Sequence, residues 1–268
     1  MKVYEAARKS FLKKEAEDAH CVNLAAGVFG VFDGVTPLYE YKDEKGHNGA
    51  FIASNLFKDH FNALQHPADP AEQLVQANRL LKKAMIAAEQ DLTRKHRLWS
   101  TCAAVVAVNG HEAAFAQVGD CMIIARTKAG ENVVVTRDSV KGNAERIRKK
   151  QAADRARGIF VPDEDYFEVP LHRQAYARWM ANTPEGYSVA NGMDEMADYI
   201  QRGVLDVAGL HYLLLISDGM VYPDQSFEAV LEQVLSIGIE RYMLEMENWE
   251  KAHDVHPDDK TAVLLEFP

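Results

Sequence analysis

Four short apolar runs between residues 101 and 136 constrain the fold of this 268-residue chain more than any other feature. The runs are separated by Asn109-Gly110, Gly119-Asp120 and Ala129-Gly130, which are typical of hairpin turns. Such close spacing leaves no room for the crossover helices that parallel strands require. The segment is therefore predicted to form an antiparallel meander. Its strands are Thr101–Val108, Glu112–Gln117, Met122–Arg126 and Asn132–Thr136.

Strand and helix patterns occur in blocks elsewhere in the chain, which indicates the α+β class. Helical spacing of apolar residues predicts three helices, over Asn48–Leu64, Ala71–Lys95 and Ser226–Ala252. Further apolar runs predict a strand or strand pair at Val22–Phe32 and single strands at His211–Ser217 and Thr261–Phe267. The charged segment Asp138–Val169 favours an exposed helix followed by a mobile loop. No repeat or linker divides the chain, so residues 1–268 are expected to form one domain.

Composition and charge argue against several classes of function. Hydrophobic residues make up 47% and charged residues 26%, as in an average globular protein. A net charge of −10 disfavours binding to nucleic acids and to anionic membranes, and no apolar run approaches the ~20 residues that span a bilayer. Cys21, Cys102 and Cys121 lack metal-binding or disulfide spacing, and the first residues contain no signal-peptide core. We expect a cytoplasmic protein without nucleic-acid or membrane partners, and the oligomeric state stays open.

Acidic residues stand where several of the apolar strands end. An Asp-Gly pair by itself is only a favoured turn, so each of these positions has an ordinary explanation. Carboxylates at neighbouring strand ends can nevertheless converge on one edge of a sheet, where they would repel each other. A hard divalent cation relieves that repulsion, and oxygen ligands favour Mg²⁺ or Mn²⁺ over zinc. The candidates are Glu17, Asp18, Asp33, Asp120, Asp218 and Asp258.

Six motifs resemble those of the metal-dependent serine/threonine protein phosphatases of type 2C (the PPM type). They are KKEAEDAH, GVFGVFDG, STCAAVVAV, AFAQVGDCMIIAR, LLLISDGM and DDKTAVLL, and the resemblance extends from Lys13 to Phe267. Each motif is weak alone, but the six occur in the family's order and indicate a divergent, bacterial-like member. The resemblance implies an α+β fold of four αββα layers, in which two antiparallel sheets pack as a sandwich flanked by long helices.

The resemblance also implies two divalent cations, Mn²⁺ or Mg²⁺, and a metal-bridging hydroxide that attacks phosphorus in line. Asp33 would bridge both cations, and the Gly34 carbonyl would bind one of them. Asp218 and Asp258 would bind the second cation. Asp258 is assigned in preference to Asp259 because its spacing to the following threonine matches the family motif. Asp259 then stands in the place of the family's asparagine.

Other acidic residues and one lysine would complete this centre. By the same resemblance, Glu17 and Asp18 would hold metal-bound waters, and Asp120 would join Asp218 in a weaker third metal site. Lys13 stands where the family usually has an arginine that binds the substrate phosphate. A lysine supplies the charge without the bidentate geometry of a guanidinium, so a weaker hold on the substrate is expected.

Two departures from the family pattern concern the leaving group and the substrate. Val35 stands where eukaryotic members usually have a histidine, which is often proposed to protonate the leaving alkoxide. A missing general acid typically costs about 10²–10⁴-fold in rate unless another group replaces it. The candidate replacements are His20, His47 and His256. Residues 142–209 match the family least and occupy the place of its variable flap, where substrate choice often lies.

Three functions remain open from the sequence. The first is hydrolysis of phosphoserine and phosphothreonine in proteins, which makes phosphorylated proteins the expected partners. The second is a weak or inactive signalling module that binds phosphorylated partners. The presence of Asp33, Asp218 and Asp258 together argues against it, because clustered carboxylates destabilise a fold that holds no metal. The third, hydrolysis of a small phosphorylated metabolite, would differ only in residues 142–209.

Overall fold

The structure is a computed structural model that describes residues 1–268, and its frame is a pair of five-stranded antiparallel sheets. The strands are β1 (Lys2–Arg8), β2 (Ala19–Asn23), β3 (Val28–Gly34), β4 (Thr101–Asn109), β5 (Glu112–Val118), β6 (Met122–Thr127), β7 (Asn132–Val134), β8 (Gln201–Asp206), β9 (Leu210–Ile216) and β10 (Lys260–Glu266). Sheet I has the order β1-β10-β9-β6-β7, and sheet II has the order β2-β3-β4-β5-β8. The predicted α+β class with two antiparallel sheets is confirmed.

Seven α-helices accompany the sheets. They are α1 (Gly49–Asn62), α2 (Pro70–Ala87), α3 (Asn143–Ala156), α4 (Glu164–Glu168), α5 (Pro170–Trp179), α6 (Phe227–Ile237) and α7 (Ile239–His253). Short 3₁₀ turns cover Lys95–Arg97, Asp194–Tyr199, Val207–Gly209 and Asp218–Met220. None of the helices combines the length and the apolar character needed to cross a membrane.

Three apolar clusters separate four layers. Seventeen buried residues fill the space between the sheets, among them Phe29 and Val106 of sheet II and Leu215 of sheet I. The outer face of sheet II packs against α1 and α2, with Phe57 among the buried residues. The outer face of sheet I packs against α6 and α7, where Tyr242 is buried. The layer order is therefore helix, sheet, sheet, helix, as the resemblance implied.

Polar residues fix where the long helices begin. The Asn48 side chain accepts a hydrogen bond from the Phe51 amide and caps α1. Asp69 caps α2 through the Ala71 amide, and Pro70 takes the first helical position, where a missing N–H costs nothing. These starts agree with the sequence to within one residue. Each cap satisfies an amide that the helix itself leaves unpaired.

Three sequence predictions need correction, and two strands were not predicted. The meander of residues 101–136 is antiparallel but divided, because the chain crosses from sheet II to sheet I at Gly119-Asp120 and forms no hairpin there. The helix predicted over Ser226–Ala252 is two helices, since Gly238 adopts a positive φ of 84° between them. The second helix ends at Ala87, before the predicted Lys95. Edge strands β1 and β8 have no counterpart in the prediction.

Three helices of the segment that resembles the family least form what we call the flap, residues 143–179. It consists of α3, α4 and α5, and it includes the exposed helix predicted within the charged segment. Few of its side chains are buried, and the apolar ones among them are Ile147 and Phe167. The flap therefore contributes little to the three apolar clusters.

Candidate active site

Four aspartates from both sheets meet at one edge of the sandwich. Asp33 lies in β3, one residue before the end of that strand, and Asp120 lies where the chain crosses between the sheets. Asp218 follows β9 and Asp258 precedes β10. Because β9 and β10 are antiparallel neighbours, the end of one lies beside the start of the other. The fold thus brings the acidic residues of four separate motifs together.

The carboxylates of this edge raise each other's pKa values. Burial, followed by the charges of Asp18 and Asp218, raises the pKa of Asp33 well above its usual range. Burial also raises the pKa of Asp18 to about 8 and that of Asp120 to about 7, and nearby carboxylates add to both shifts. Like charges in a poorly solvated site disfavour ionisation. An added cation would therefore stabilise the ionised forms of these groups.

Two buried oxygens at this edge have no hydrogen-bond partner. They are Asp18 Oδ2 and Asp120 Oδ1. Unpaired buried oxygens are costly, so such atoms call for a ligand or an ion. With oxygen donors alone and several carboxylates, the residues fit a hard divalent cation. No three acidic, histidine or cysteine side chains are arranged as a formed metal site, so binding would require side-chain adjustment.

The Lys13 ammonium group lies among these carboxylates. Its Nζ is 2.6 Å from Asp258 Oδ1, 2.9 Å from Glu17 Oε2 and 3.3 Å from Asp259 Oδ2. Burial lowers the pKa of Lys13, but the Asp258 and Glu17 carboxylates outweigh that effect and raise it overall. Lys13 is therefore a fixed cation at one side of the acidic cluster. The sequence placed it near the site but did not predict its contact with Asp258.

Backbone amides and polar side chains hold the neighbouring acidic residues in place. Asp259 is buried and accepts hydrogen bonds from the amides of Ser10 (2.7 Å) and Glu17 (2.6 Å). The Glu17 carboxylate accepts bonds from Asn48 Nδ2 and Thr36 Oγ1, both at 2.6 Å. Asp259 thus braces the loop, whereas the side chain of Asp258 is 47% exposed. Of the two neighbouring carboxylates, that of Asp258 is therefore the more accessible one.

Close backbone approach explains both glycines of the Asp-Gly pairs. A Cβ at Gly34 would lie 2.5 Å from the Glu17 carbonyl oxygen and 2.6 Å from that of Ala50. A Cβ at Gly219 would lie 1.9 Å from the Asp259 carbonyl oxygen. Neither position has a positive φ. Both positions require glycine because another part of the backbone packs closely against them. A turn with positive φ is not the cause.

The three candidate histidines have different surroundings. His20 lies 3.3 Å from Glu5, and His47 lies 2.6 Å from Glu15. His256 is exposed and lines a cavity of about 150 Å³ together with Asp218 and Asp258. Only His256 of the three therefore lines a cavity with the aspartates of the site. Position 35 holds an aliphatic side chain that packs against the cluster between the sheets.

A second, larger cleft is also lined by aspartates of the site. Its volume is about 670 Å³, and its lining includes Asp120, Asp138, Lys141 and Asp218. The sequence did not single out Lys141 or the two residues that hold Glu17. Asn48 carries the signal of a helix cap, but a threonine such as Thr36 carries no signal at all. Contacts of this kind join distant parts of the chain.

A family model places the chain among known proteins. The model for protein phosphatase 2C matches residues 15–249, which is most of the chain. The chain belongs to the protein phosphatase 2C family, whose members are metal-dependent serine/threonine protein phosphatases. The match covers Glu17, Asp18, Asp33, Asp120 and Asp218. The two residues outside the match are Lys13 and Asp258.

Solved structures of bacterial phosphatases have the same fold. The Mycobacterium tuberculosis serine/threonine phosphatase PstP/Ppp is 15% identical with a TM-score of 0.63, and 99% of this chain aligns with 98% of that one. PppA, a key regulatory component of T6SS in Pseudomonas aeruginosa, is 17% identical with a TM-score of 0.63, over 100% and 97%. The catalytic domain of PstP in complex with two manganese ions is 16% identical with a TM-score of 0.61, over 99% and 97%. No curated protein matches the sequence.

Proposed function

We propose that this protein hydrolyses phosphoserine and phosphothreonine in other proteins, with two divalent cations, Mn²⁺ or Mg²⁺, at the acidic edge of the sandwich. One observation carries the proposal. Aspartates from both sheets converge there, and one carboxyl oxygen each of Asp18 and Asp120 is buried without a partner. In a fold that held no cation, this arrangement would only destabilise the protein. Membership of the protein phosphatase 2C family supports the same reaction.

Different acidic residues would bind the two cations. Asp33 and the Gly34 carbonyl lie at the end of β3 and would hold a cation at this edge. Asp218 and Asp258 flank neighbouring strand ends and would hold the second ion. Bound cations would supply an activated water and balance the charge of the phosphoryl group. The remaining proposed ligands are Glu17 and Asp18, through water, and Asp120, in a weaker third site.

Lys13 would bind the substrate phosphate. Its ammonium group already faces the acidic cluster, and its flexible stem allows Nζ to move from Asp258 toward a phosphoryl oxygen. A single ammonium group donates to one oxygen at a time, so the hold on phosphate is weaker than that of a guanidinium. His256 is the best placed residue to give a proton to the leaving oxygen, because it lines a cavity with Asp218 and Asp258.

Hydrolysis assays with controls test this function. We would follow p-nitrophenyl phosphate and a phosphothreonine peptide with Mn²⁺, with EDTA, and in the variant Asp218→Ala. Asp165→Ala serves as the matched control, because Asp165 is exposed in α4. We expect Mn²⁺-dependent turnover of both substrates that disappears with EDTA and in Asp218→Ala but persists in Asp165→Ala. Absence of turnover by folded, Mn²⁺-loaded protein would contradict the proposal and favour a phosphoprotein-binding module.

A substrate comparison separates proteins from small metabolites. Phosphothreonine peptides of increasing length extend beyond the aspartates onto the surrounding surface, whereas a metabolite does not. We expect kcat/KM to rise with peptide length, because extra contacts contribute binding energy to the reaction. If free phosphothreonine or a sugar phosphate were hydrolysed as efficiently as the longest peptide, the protein would act on metabolites.

A further inference from the structure

The segment from Arg137 to Arg157 has a charge opposite to that of the rest of the protein. It contains eight Lys and Arg against three Asp and Glu, a net charge of +5. Since the whole chain carries −10, the remainder carries −15. An acidic ligand is repelled by most of this surface and attracted by one segment of it.

The basic charge lies on α3, a helix that has little apolar surface to bury. Ile147 is its only buried apolar side chain. Arg148 and Arg157 are exposed and form no salt bridge, whereas Lys149 pairs with Glu145. Because α3 makes so few contacts with the core, packing does not explain its many basic residues. The unpaired charges are therefore available to a ligand.

The side chains of one face of α3 form a groove. A cavity of about 340 Å³ is lined by Arg146, Lys149, Lys150 and Arg157, whose spacing places them on the same side of the helix. Two acidic residues, Asp154 and Glu185, also line it. The Arg146 guanidinium donates only to backbone carbonyls, those of Lys141 and Ser139, so no carboxylate neutralises it. The groove keeps an excess of positive charge.

The start of α3 is joined to the edge of the acidic cluster. The Ser139 amide and hydroxyl both donate to the Gly119 carbonyl at 3.0 Å, one residue before Asp120. Lys141 lines the larger cleft together with Asp120 and Asp218. The helix has 14 residues and extends about 21 Å from this point. That length corresponds to about six residues of an extended peptide.

We propose that this basic face of α3 binds acidic residues beside the phosphorylated residue of the substrate. The preferred substrate is then a phosphoprotein segment with Asp or Glu within about six positions of the phosphoresidue. The inference rests on the proposed function and adds the class of substrate to it. An extended nucleic acid is a poorer ligand, because it would also meet the acidic surface outside the segment.

Matched peptides and a charge-reversal variant test the inference. We would measure kcat/KM for phosphothreonine peptides with acidic, neutral and basic flanks, and bind the same fluorescent peptides by anisotropy. The variant is Lys149→Glu combined with Arg157→Glu, because both residues are exposed and line the groove. The control is Arg79→Glu combined with Lys83→Glu, since both residues are exposed on α2 and form no salt bridge.

For the wild type we expect kcat/KM to be roughly tenfold higher with the acidic peptide than with the basic one. This is the effect that a few surface charge pairs typically have on binding. The α3 variant should lose that preference in both kcat/KM and anisotropy, and the α2 control should keep it. Turnover of p-nitrophenyl phosphate should be unchanged in both variants. An α3 variant that keeps the acidic preference would overturn the inference. So would single-stranded DNA that competes as well as the acidic peptide.

The two proposals fail in different ways. If p-nitrophenyl phosphate were not hydrolysed with Mn²⁺, the proposed function would fall, while anisotropy would still report on the acidic preference. If p-nitrophenyl phosphate were hydrolysed but all three peptides behaved alike, only the assignment of α3 would be wrong.

Discussion

The sandwich and the flap differ in how they are built. The space between the sheets holds seventeen buried residues, and the catalytic candidates stand at the ends of strands anchored in that cluster. The flap has two buried apolar side chains in α3 to α5, Ile147 and Phe167, and its surface carries both charged residues and exposed apolar side chains such as Phe160 and Trp179. Dense packing fixes side chains to within fractions of an ångström, whereas sparse packing permits local movement.

This difference assigns separate tasks to the two regions. Chemistry at a phosphorus atom needs groups held in a fixed geometry, which the strand ends of the sandwich supply. Recognition of varied protein segments needs a surface that can adapt and that carries charge, which the flap would supply under the proposal for α3. A change of a metal-binding carboxylate in the sandwich should therefore affect every substrate equally. A change in the flap should affect peptides alone.

The largest effect is expected from Asp33→Asn. The substitution removes a proposed metal ligand and should lower kcat/KM by at least about 10³-fold for p-nitrophenyl phosphate and for peptides alike. It also removes one member of a group of repelling carboxylates, so the melting temperature in EDTA should stay the same or rise. The exposed flap residue Asp165, changed to Asn, is the control and should alter neither quantity. A large loss for peptides alone would break the comparison.

Substitution of one phenylalanine in each region compares the packing of the sandwich with that of the flap. Phe29→Ala leaves a cavity between the sheets and should lower the free energy of unfolding by about 3–5 kcal/mol. Phe167→Ala in α4 should cost less than about 2 kcal/mol, because its neighbourhood can collapse, and turnover of p-nitrophenyl phosphate should persist. Urea unfolding and hydrogen exchange would measure both. Equal losses would mean that the flap is part of the cooperative core.

His256→Ala examines the proton donor at the border of the site. Because an alkoxide needs a proton to leave and p-nitrophenolate does not, turnover of a phosphothreonine peptide should fall by roughly 10²-fold. Turnover of p-nitrophenyl phosphate should change little. His66→Ala is the control, since His66 is exposed in the loop before α2. If both substrates lost activity equally, His256 would support the site without donating a proton.

The smallest of these effects is expected at Lys13. Lys13→Met should raise KM roughly tenfold, the value of one charged hydrogen bond to phosphate. In EDTA it should also lower the melting temperature, because the carboxylates of Asp258 and Glu17 lose their salt bridges to Lys13. Lys13→Arg should restore or improve KM, and Lys14→Met, at an exposed neighbour, should change neither quantity. An unchanged KM in Lys13→Met would remove this residue from substrate binding.

Central strands and the ends of strands were accessible from the sequence because their signals are local. Buried strands such as β4 and β9 are continuous apolar runs, and an aspartate that ends such a run is visible on paper. Edge strands β1 and β8 contact the core with one face and have mixed composition, so no run marks them. The crossing at Gly119 could not be distinguished from a hairpin. A turn sequence does not indicate whether the following strand pairs with the preceding one or joins the other sheet.

The long-range contacts of the site were not accessible in the same way. Lys13 and Asp258 are separated by 245 positions, and nothing local to either residue indicates their ion pair. The family resemblance supplied the positions of the candidate ligands but not the bracing role of Asp259 or the contacts of Thr36 with Glu17. Such contacts depend on how loops from different strands pack. A motif cannot specify that packing.

The position of β10 has a consequence for how this protein acquires its structure. The strand lies between β1 and β9 in sheet I, and its register pairs Lys2 with Glu266. Pairing β1 with β10 closes a loop that contains nearly the whole chain, which is entropically costly. Folds dominated by such distant contacts refold slowly. Lys13 lies five positions after β1, and Asp258 lies two positions before β10, so the contact between these two residues completes the site only when the two ends of the chain have paired. Recovery of phosphatase activity after dilution from denaturant should therefore follow the slowest phase of refolding, after the helices have already formed.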